Sequence, residues 1–179
     1  MEQPMPKPVN RSALRMTLGA WYFAMRRRLL WLKQRRSFAR EKTDEQLPFV
    51  YASHHTPLIR ELKNADLWMQ YNKITNLRLA AARVNGVLLR PGETFSYWRL
   101  IGKPSSRKGY KEGMMLVNGT VRPGVGGGLC QLSNLIFWMA LHTPLTVTER
   151  HRHGYDVFPD SNRTQPSAAA RPAFIPTST

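Results

Sequence analysis

The sequence predicts an α+β fold: a basic N-terminal amphipathic helix, then a small, mainly antiparallel sheet packed on a central buried helix that begins at Gly126-Gly127-Gly128-Leu129-Cys130-Gln131. Three observations carry this. Apolar residues recur every three or four positions in residues 11–40 and 72–84, the period of a helix face. Beyond Gly86 the pattern shortens to that of strands, with β-branched and aromatic residues between turn signals. Residues 129–141 lack Gly and Pro and are apolar nearly all round, as a buried helix is.

In the first segment, Leu14, Leu18, Trp21, Met25, Leu29 and Leu32 form the apolar face. Arg11, Arg15, Arg26, Arg27, Arg28, Lys33, Arg35, Arg36 and Arg40 add nine positive charges with no acidic residue among them. Such a helix suits an anionic membrane surface, with Trp21, Tyr22 and Trp31 at the lipid boundary. A helix packed on its own domain with a solvated basic face fits the same pattern. Residues 41–46 read as a charged linker and residues 47–53 as an extended piece stopped by His54-His55-Thr56-Pro57. The two adjacent histidines point to different sides of the chain and have no carboxylate or cysteine nearby in sequence, so no metal site is expected.

Residues 57–67 and 72–84 are predicted helices, the second closed by Asn85-Gly86 in a left-handed stop. Residues 87–89 and 94–98 are predicted strands around Arg90-Pro91-Gly92-Glu93, which has the Pro-Gly centre of a type II turn. Residues 110–117 and 120–122 are expected to pair across Asn118-Gly119. After the Cys130 helix, which His142-Thr143-Pro144 ends, residues 145–150 alternate as a strand running into His151-Arg152-His153-Gly154-Tyr155-Asp156.

The chain has 179 residues, enough for one domain with an appendage. Its net charge of +16, from 27 Lys and Arg against 11 Asp and Glu, points to an anionic partner: an acidic lipid surface, an anionic polymer or nucleic acid. Nucleic acid is the weakest of these, because no recognition module accompanies the basic residues. A single cysteine excludes an internal disulfide framework and a Cys-based metal site, and no cofactor is expected. No apolar run is long enough to span a bilayer. The polar, proline-rich residues 1–10 lack the apolar core of a secretory signal, which predicts a cytoplasmic protein, at most peripheral to the membrane.

The chemistry centres on Cys130. Gly126, Gly127 and Gly128 reach backbone angles closed to other residues and let a ligand or another chain come close. At a helix start, unpaired N–H groups and the helix dipole favour a thiolate, which suits a nucleophile. A free cysteine also serves as a small buried apolar group. On a strand, His151 and His153 share one face and Arg150 and Arg152 the other. A helix-start cysteine facing a strand-borne histidine is an arrangement for acyl transfer, in which His takes the thiol proton and a polar residue, Asp156 or Glu149, orients the ring. Gln131 or the glycine N–H groups would line an oxyanion hole. Each histidine taken alone fits a bond to a nearby carbonyl better than a catalytic role.

Asn76-Leu77-Arg78-Leu79-Ala80, Pro91-Gly92-Glu93-Thr94-Phe95-Ser96, Ile101-Gly102, Gly109-Tyr110, Gly126-Gly127-Gly128-Leu129-Cys130-Gln131-Leu132-Ser133 and Glu149-Arg150-His151-Arg152-His153 occur in one order. Together they resemble the VanW family, named for an accessory protein of vancomycin-resistance clusters. The resemblance covers roughly residues 11–166. It implies an L,D-transpeptidase-like activity, in which a cysteine forms peptide cross-links on peptidoglycan stem peptides. By position that cysteine is Cys130 and the histidine is His153, with Arg150 as its companion. Gly126, Gly127, Gly128, Gln131 and Ser133, around the cysteine, are the candidate substrate-binding residues.

The chain is thus expected to divide into residues 1–46, a basic helix and linker; 47–166, a VanW-like domain; and 167–179, an Ala- and Pro-rich tail. The tail departs from the family's Gly-rich, aromatic continuation and is expected to be disordered. A non-enzymatic binding protein for an anionic ligand, with the basic helix as its contact and the glycine loop as a cradle, is the alternative reading.

Overall fold

The computed structural model describes residues 12–59, 66–117, 120–150 and 173–176. It divides the chain into two compact units, residues 1–38 and 39–179. The first is built on helix α1, Ala13–Lys33. Ser12 caps it, its hydroxyl accepting from the Arg15 N–H at 3.4 Å, and Gln34 closes it by donating to the Leu30 carbonyl. No residue of α1 is buried.

The second unit is α+β. Its entry, which includes the expected charged linker of residues 41–46, is tied down at once. Ala39 N–H donates to Thr94 O, Thr43 N–H to Gly86 O and Leu88 N–H to Glu41 O, and Lys42 forms an antiparallel bridge with Val87. Arg90 adds an exposed ion pair to Glu41 at 2.7 Å.

Helix α2 runs Leu67–Val84. It starts earlier than the apolar period at residue 72 suggests, and residues 57–59, expected to be helical, are not. The stop at its end is as read: Asn85 N–H donates to Ala81 O and Gly86 has φ +71°. The Arg90–Glu93 turn also forms, with Glu93 N–H on Arg90 O and Gly92 at φ +79°.

Of the two strands expected on either side of this turn, only β1, Phe95–Ser96, is present. Residues 97–101 turn instead into a short helix, α3 (Tyr97–Ile101). Tertiary packing overrides β-propensity here, because the helical turn places both Tyr97 and Ile101 in the core.

Strands β2 (Glu112–Val117) and β3 (Thr120–Val125) form an antiparallel hairpin, and β3 continues through Pro123 and Gly124, past the expected end. A two-stranded ribbon has only edge strands, where a proline needs no ladder partner for its missing N–H. Helix α4, Cys130–Ala140, begins at the cysteine as the sequence implies. Its burial is one-sided, with Ser133, Phe137 and Ala140 buried and most of the remainder half-buried.

Strand β4, Leu145–Glu149, pairs antiparallel with β5, Ala173–Pro176, which pairs in turn with β1. Ala173–Pro176, within the tail expected to be disordered, is therefore the central strand of a three-stranded sheet in the order β1-β5-β4, and the rest of that tail lies outside the described residues. Low complexity hid a short apolar run whose backbone completes two otherwise open edges.

The core has two parts. Leu77 and Ala80 of α2 meet Tyr97, Ile101, Tyr110 and Leu129, flanked by Leu132 and Ile136 of α4. Phe137 and Ala140 of α4 pack with Leu145 and Val147 of β4. Helix α4 thus joins the glycine turn to the sheet. No helix among the described residues is long and apolar enough to cross a membrane.

Candidate functional site

The site forms where the β2–β3 hairpin hands over to α4. Gly126 (φ +82°) and Gly128 (φ +88°) adopt left-handed angles that side chains disfavour. Gly127 is needed for another reason. A Cβ there would collide with the Gly113 backbone, and one on Gly113 would lie 2.8 Å from Gly127 O. A Cβ on Gly128 would run into the aliphatic stem of Lys73.

Asn76, fully buried on α2, holds the turn in place. Its Nδ2 donates to Gly127 O and to Lys111 O, both at 2.9 Å, while its Oδ1 accepts from Lys111 N–H at 2.8 Å. One side chain thereby pairs with three backbone groups of the hairpin and turn, one of which, Lys111 O, also accepts from Gly126 N–H. A turn earlier, Lys73 is also buried, its Nζ donating to Gln70 Oε1 at 2.8 Å. Tyr97, buried beneath α4, donates its hydroxyl to Leu129 O at 2.9 Å. Asn76 and Tyr97 thus hold the backbone that leads into the cysteine, and Lys73 brings a charge that acts on it; the sequence had suggested no role for Lys73 or Tyr97. A row of polar residues, Gln70, Lys73 and Asn76, along the buried side of α2 was the available signal.

Cys130 is half-buried at the first position of α4. Burial pushes its thiol above the ordinary value, opposed by its own N–H, the Gln131 N–H and the charge of Lys73. The helix-start donors anticipated from the sequence are present, but loss of solvent outweighs them, so the resting sulfur is a thiol and not a thiolate. Tyr97 is likewise raised, chiefly by burial, with Cys130 and Tyr110 adding to it.

The remaining candidates are placed unevenly. Gln131 spends its amide on another segment: Nε2 donates to Pro57 O at 2.9 Å and to Thr56 Oγ1 at 3.1 Å. Ser133 is fully buried, and its hydroxyl donates to Cys130 O at 3.0 Å. Two glycine-turn N–H groups are engaged within the fold, Gly126 N–H with Lys111 O and Gly127 N–H with Gly124 O. Arg150, just past β4, lies with its guanidinium 3.7 Å from the Phe137 ring centre. Phe137 is two turns on from Cys130, about 10 Å along the axis at 1.5 Å per residue. His151, His153 and Asp156 lie outside the described residues.

Three other histidines gather on the outer side of α4. His54 lies 6.1 Å from the Trp138 ring, His142 5.1 Å from it, and His55 stacks on His54 at 6.2 Å. Among the described residues, no three His, Cys, Asp or Glu side chains converge to hold a metal ion.

Residues 72–170, more than half of the chain and inclusive of Asn76, the glycine turn and Cys130, match the family described as VanW like protein. The chain belongs to the VanW family. It is similar to the vancomycin B-type resistance protein VanW of Enterococcus faecalis, 41% identical over 125 residues, which is 70% of this chain and 46% of that protein. It is also similar to the uncharacterised protein YoaR of Bacillus subtilis, 35% identical over 78 residues, covering 44% of this chain and 26% of that protein. The chain thus spans less than half the length of these curated relatives. No solved structure matches it.

Proposed function

We propose that this VanW-family chain carries out cysteine-dependent acyl transfer on peptidoglycan stem peptides, in the context of vancomycin resistance that its Enterococcus relative's name records. The observation that carries the reading is the setting of Cys130: a thiol at the first position of α4, with the Cys130 and Gln131 N–H groups and the Lys73 charge all favouring its anion. In the reaction, Cys130 Sγ bonds to a peptide carbonyl carbon, the C–N bond to a terminal D-residue breaks, and the departing amine takes up the thiol proton. An acceptor amine then attacks the thioester carbonyl carbon, the new amide C–N bond forms as the C–S bond breaks, and the amine proton returns to Cys130 Sγ.

Because burial holds the thiol protonated, the step needs a base at the moment of attack. On this reading that role belongs to His153, with His151 two residues before it in the sequence and Asp156 to orient the ring. The pH dependence follows from the sign of the shift. A thiol raised above its ordinary value leaves little thiolate at neutrality, so alkylation of Cys130 by iodoacetamide should rise with pH past the range of a free cysteine. Replacing Lys73 by Met removes a charge that favours the anion and should move that rise to still higher pH.

The test is mass spectrometry of the protein after incubation with a peptide ending in a D-amino acid. A thioester adduct should appear and should be absent from Cys130→Ala. An adduct that survives in Cys130→Ala removes this thiol from the mechanism. The burial that raises the thiol also favours a second reading, a non-enzymatic protein that binds an anionic ligand. Peptide that binds without an adduct, equally well in Cys130→Ala, decides for that reading.

A further inference from the structure

Helix α1 has no buried residue although it is rich in large apolar side chains. At about 100° per residue, Leu14, Leu18, Trp21, Met25, Leu29 and Leu32 fall within an arc of about 80°. Five of these six are between 58% and 71% exposed, with Met25 half-buried. Arg28 borders the arc on one side and Arg15, Arg26 and Lys33 on the other. The helix has no acidic residue in its first turn and ends on Lys33, and residues 11–40 contain no acidic side chain at all.

We propose that α1 lies in the plane of an anionic phospholipid surface, its apolar arc in the interface and its bordering cations among the headgroup phosphates. A bilayer surface meets both halves of the pattern. It takes up an exposed apolar stripe, and its negative potential attracts the flanking Arg and Lys, whose long stems let their charged ends reach the phosphates. A nucleic acid backbone would satisfy the cations alone and leave the Leu and Trp side chains in water. Three successive arginines, Arg26, Arg27 and Arg28, keep the helix from crossing the bilayer, in line with the absence of a membrane-spanning helix among the described residues. On the opposite side Met16, Phe23 and Leu30 recur only once every seven residues, too sparse for a continuous stripe. The inference is independent of any chemistry at Cys130.

The experiment is co-sedimentation of the full chain with vesicles of phosphatidylcholine alone, or with about 30% phosphatidylglycerol to supply the negative surface. The protein should prefer the anionic vesicles, and the preference should fall as salt is added. Leu18→Ser with Leu29→Ser should weaken partitioning by about tenfold or more, since two apolar side chains lose their burial in lipid. Phe23→Ser, on the opposite side, should change it by less than about twofold. Arg26→Gln with Arg28→Gln should reduce the preference for anionic vesicles and flatten its salt dependence. All these side chains are exposed, so each variant should keep its helix, which far-UV circular dichroism checks. The proposal is overturned if anionic vesicles are not preferred, or if Phe23→Ser weakens binding as much as the double leucine variant. It is also overturned if the chain binds a short DNA duplex and not vesicles, with the leucine variant unaffected.

Discussion

Asn76 shows how a single side chain can fix the geometry of a site it does not enter. Its amide bridges the start of β2 and the glycine turn, so Gly127 is held against Gly113 and α4 begins at a set place. Asn76→Leu has a similar volume but leaves Lys111 N–H, Lys111 O and Gly127 O without this partner. An unsatisfied buried polar group costs about 1–3 kcal/mol, so the variant should lose about 2–4 kcal/mol of stability, some of the loss being relieved by relaxation. Urea unfolding monitored by circular dichroism measures it, and a loss under about 1 kcal/mol would mean the hairpin and turn hold their form without the clamp. At this scale the sequence was partly legible. Glycines announce themselves, because positive φ and close approach leave few other choices, and Cys130 stands at its helix start. The polar row Gln70, Lys73 and Asn76 was the one signal for Lys73, while Tyr97 was silent, since its sequence neighbourhood gives no hint that its hydroxyl will meet the Leu129 carbonyl. The direction of the thiol shift was silent for the same reason: the helix-start donors are local, whereas the burial that overrides them comes from the whole surrounding fold.

Elements show the same division between local and distant causes. Helix α1, helix α4, the β2–β3 hairpin and the turns at Gly86 and Gly92 follow from patterns contained within each segment. Two of the elements that departed from expectation, α3 and β5, depend on partners far away in sequence. Tyr97 reaches the Leu129 carbonyl, and β5 pairs with strands that begin at residues 95 and 145. From composition, residues 167–179 read as a tail, yet Ala173–Pro176 lies between β1 and β4 and pairs with both. Cutting the chain after residue 172 should therefore open two strand edges at once. The expected result is a lower thermal midpoint together with a tendency to aggregate, because exposed edges recruit other strands. Differential scanning calorimetry and light scattering on the shortened protein check this. Unchanged unfolding would show that β5 adds nothing to the sheet.

For the whole molecule, the excess of positive charge acts in two opposite ways. Folding brings like charges within each unit closer together, so a chain with a net charge of +16, from 27 cationic side chains against 11 anionic ones, repels itself more when folded than when unfolded. Added salt screens that repulsion over about 10 Å at 0.1 M, and should raise the thermal midpoint steadily up to about 0.5 M sodium chloride. The Arg90–Glu41 pair will not reverse this, because it is exposed and such pairs contribute about 0–1 kcal/mol. The same screening weakens the attraction of α1 for an anionic lipid surface. Stability should thus rise with salt over the range in which vesicle binding falls, a divergence that a protein held together by surface ion pairs would not show. Thermal melts and vesicle partitioning measured in one salt series give both slopes. A midpoint that falls with salt would place the stabilising charge interactions between opposite signs, and the account of the fold's electrostatics would have to begin from ion pairs in place of net repulsion.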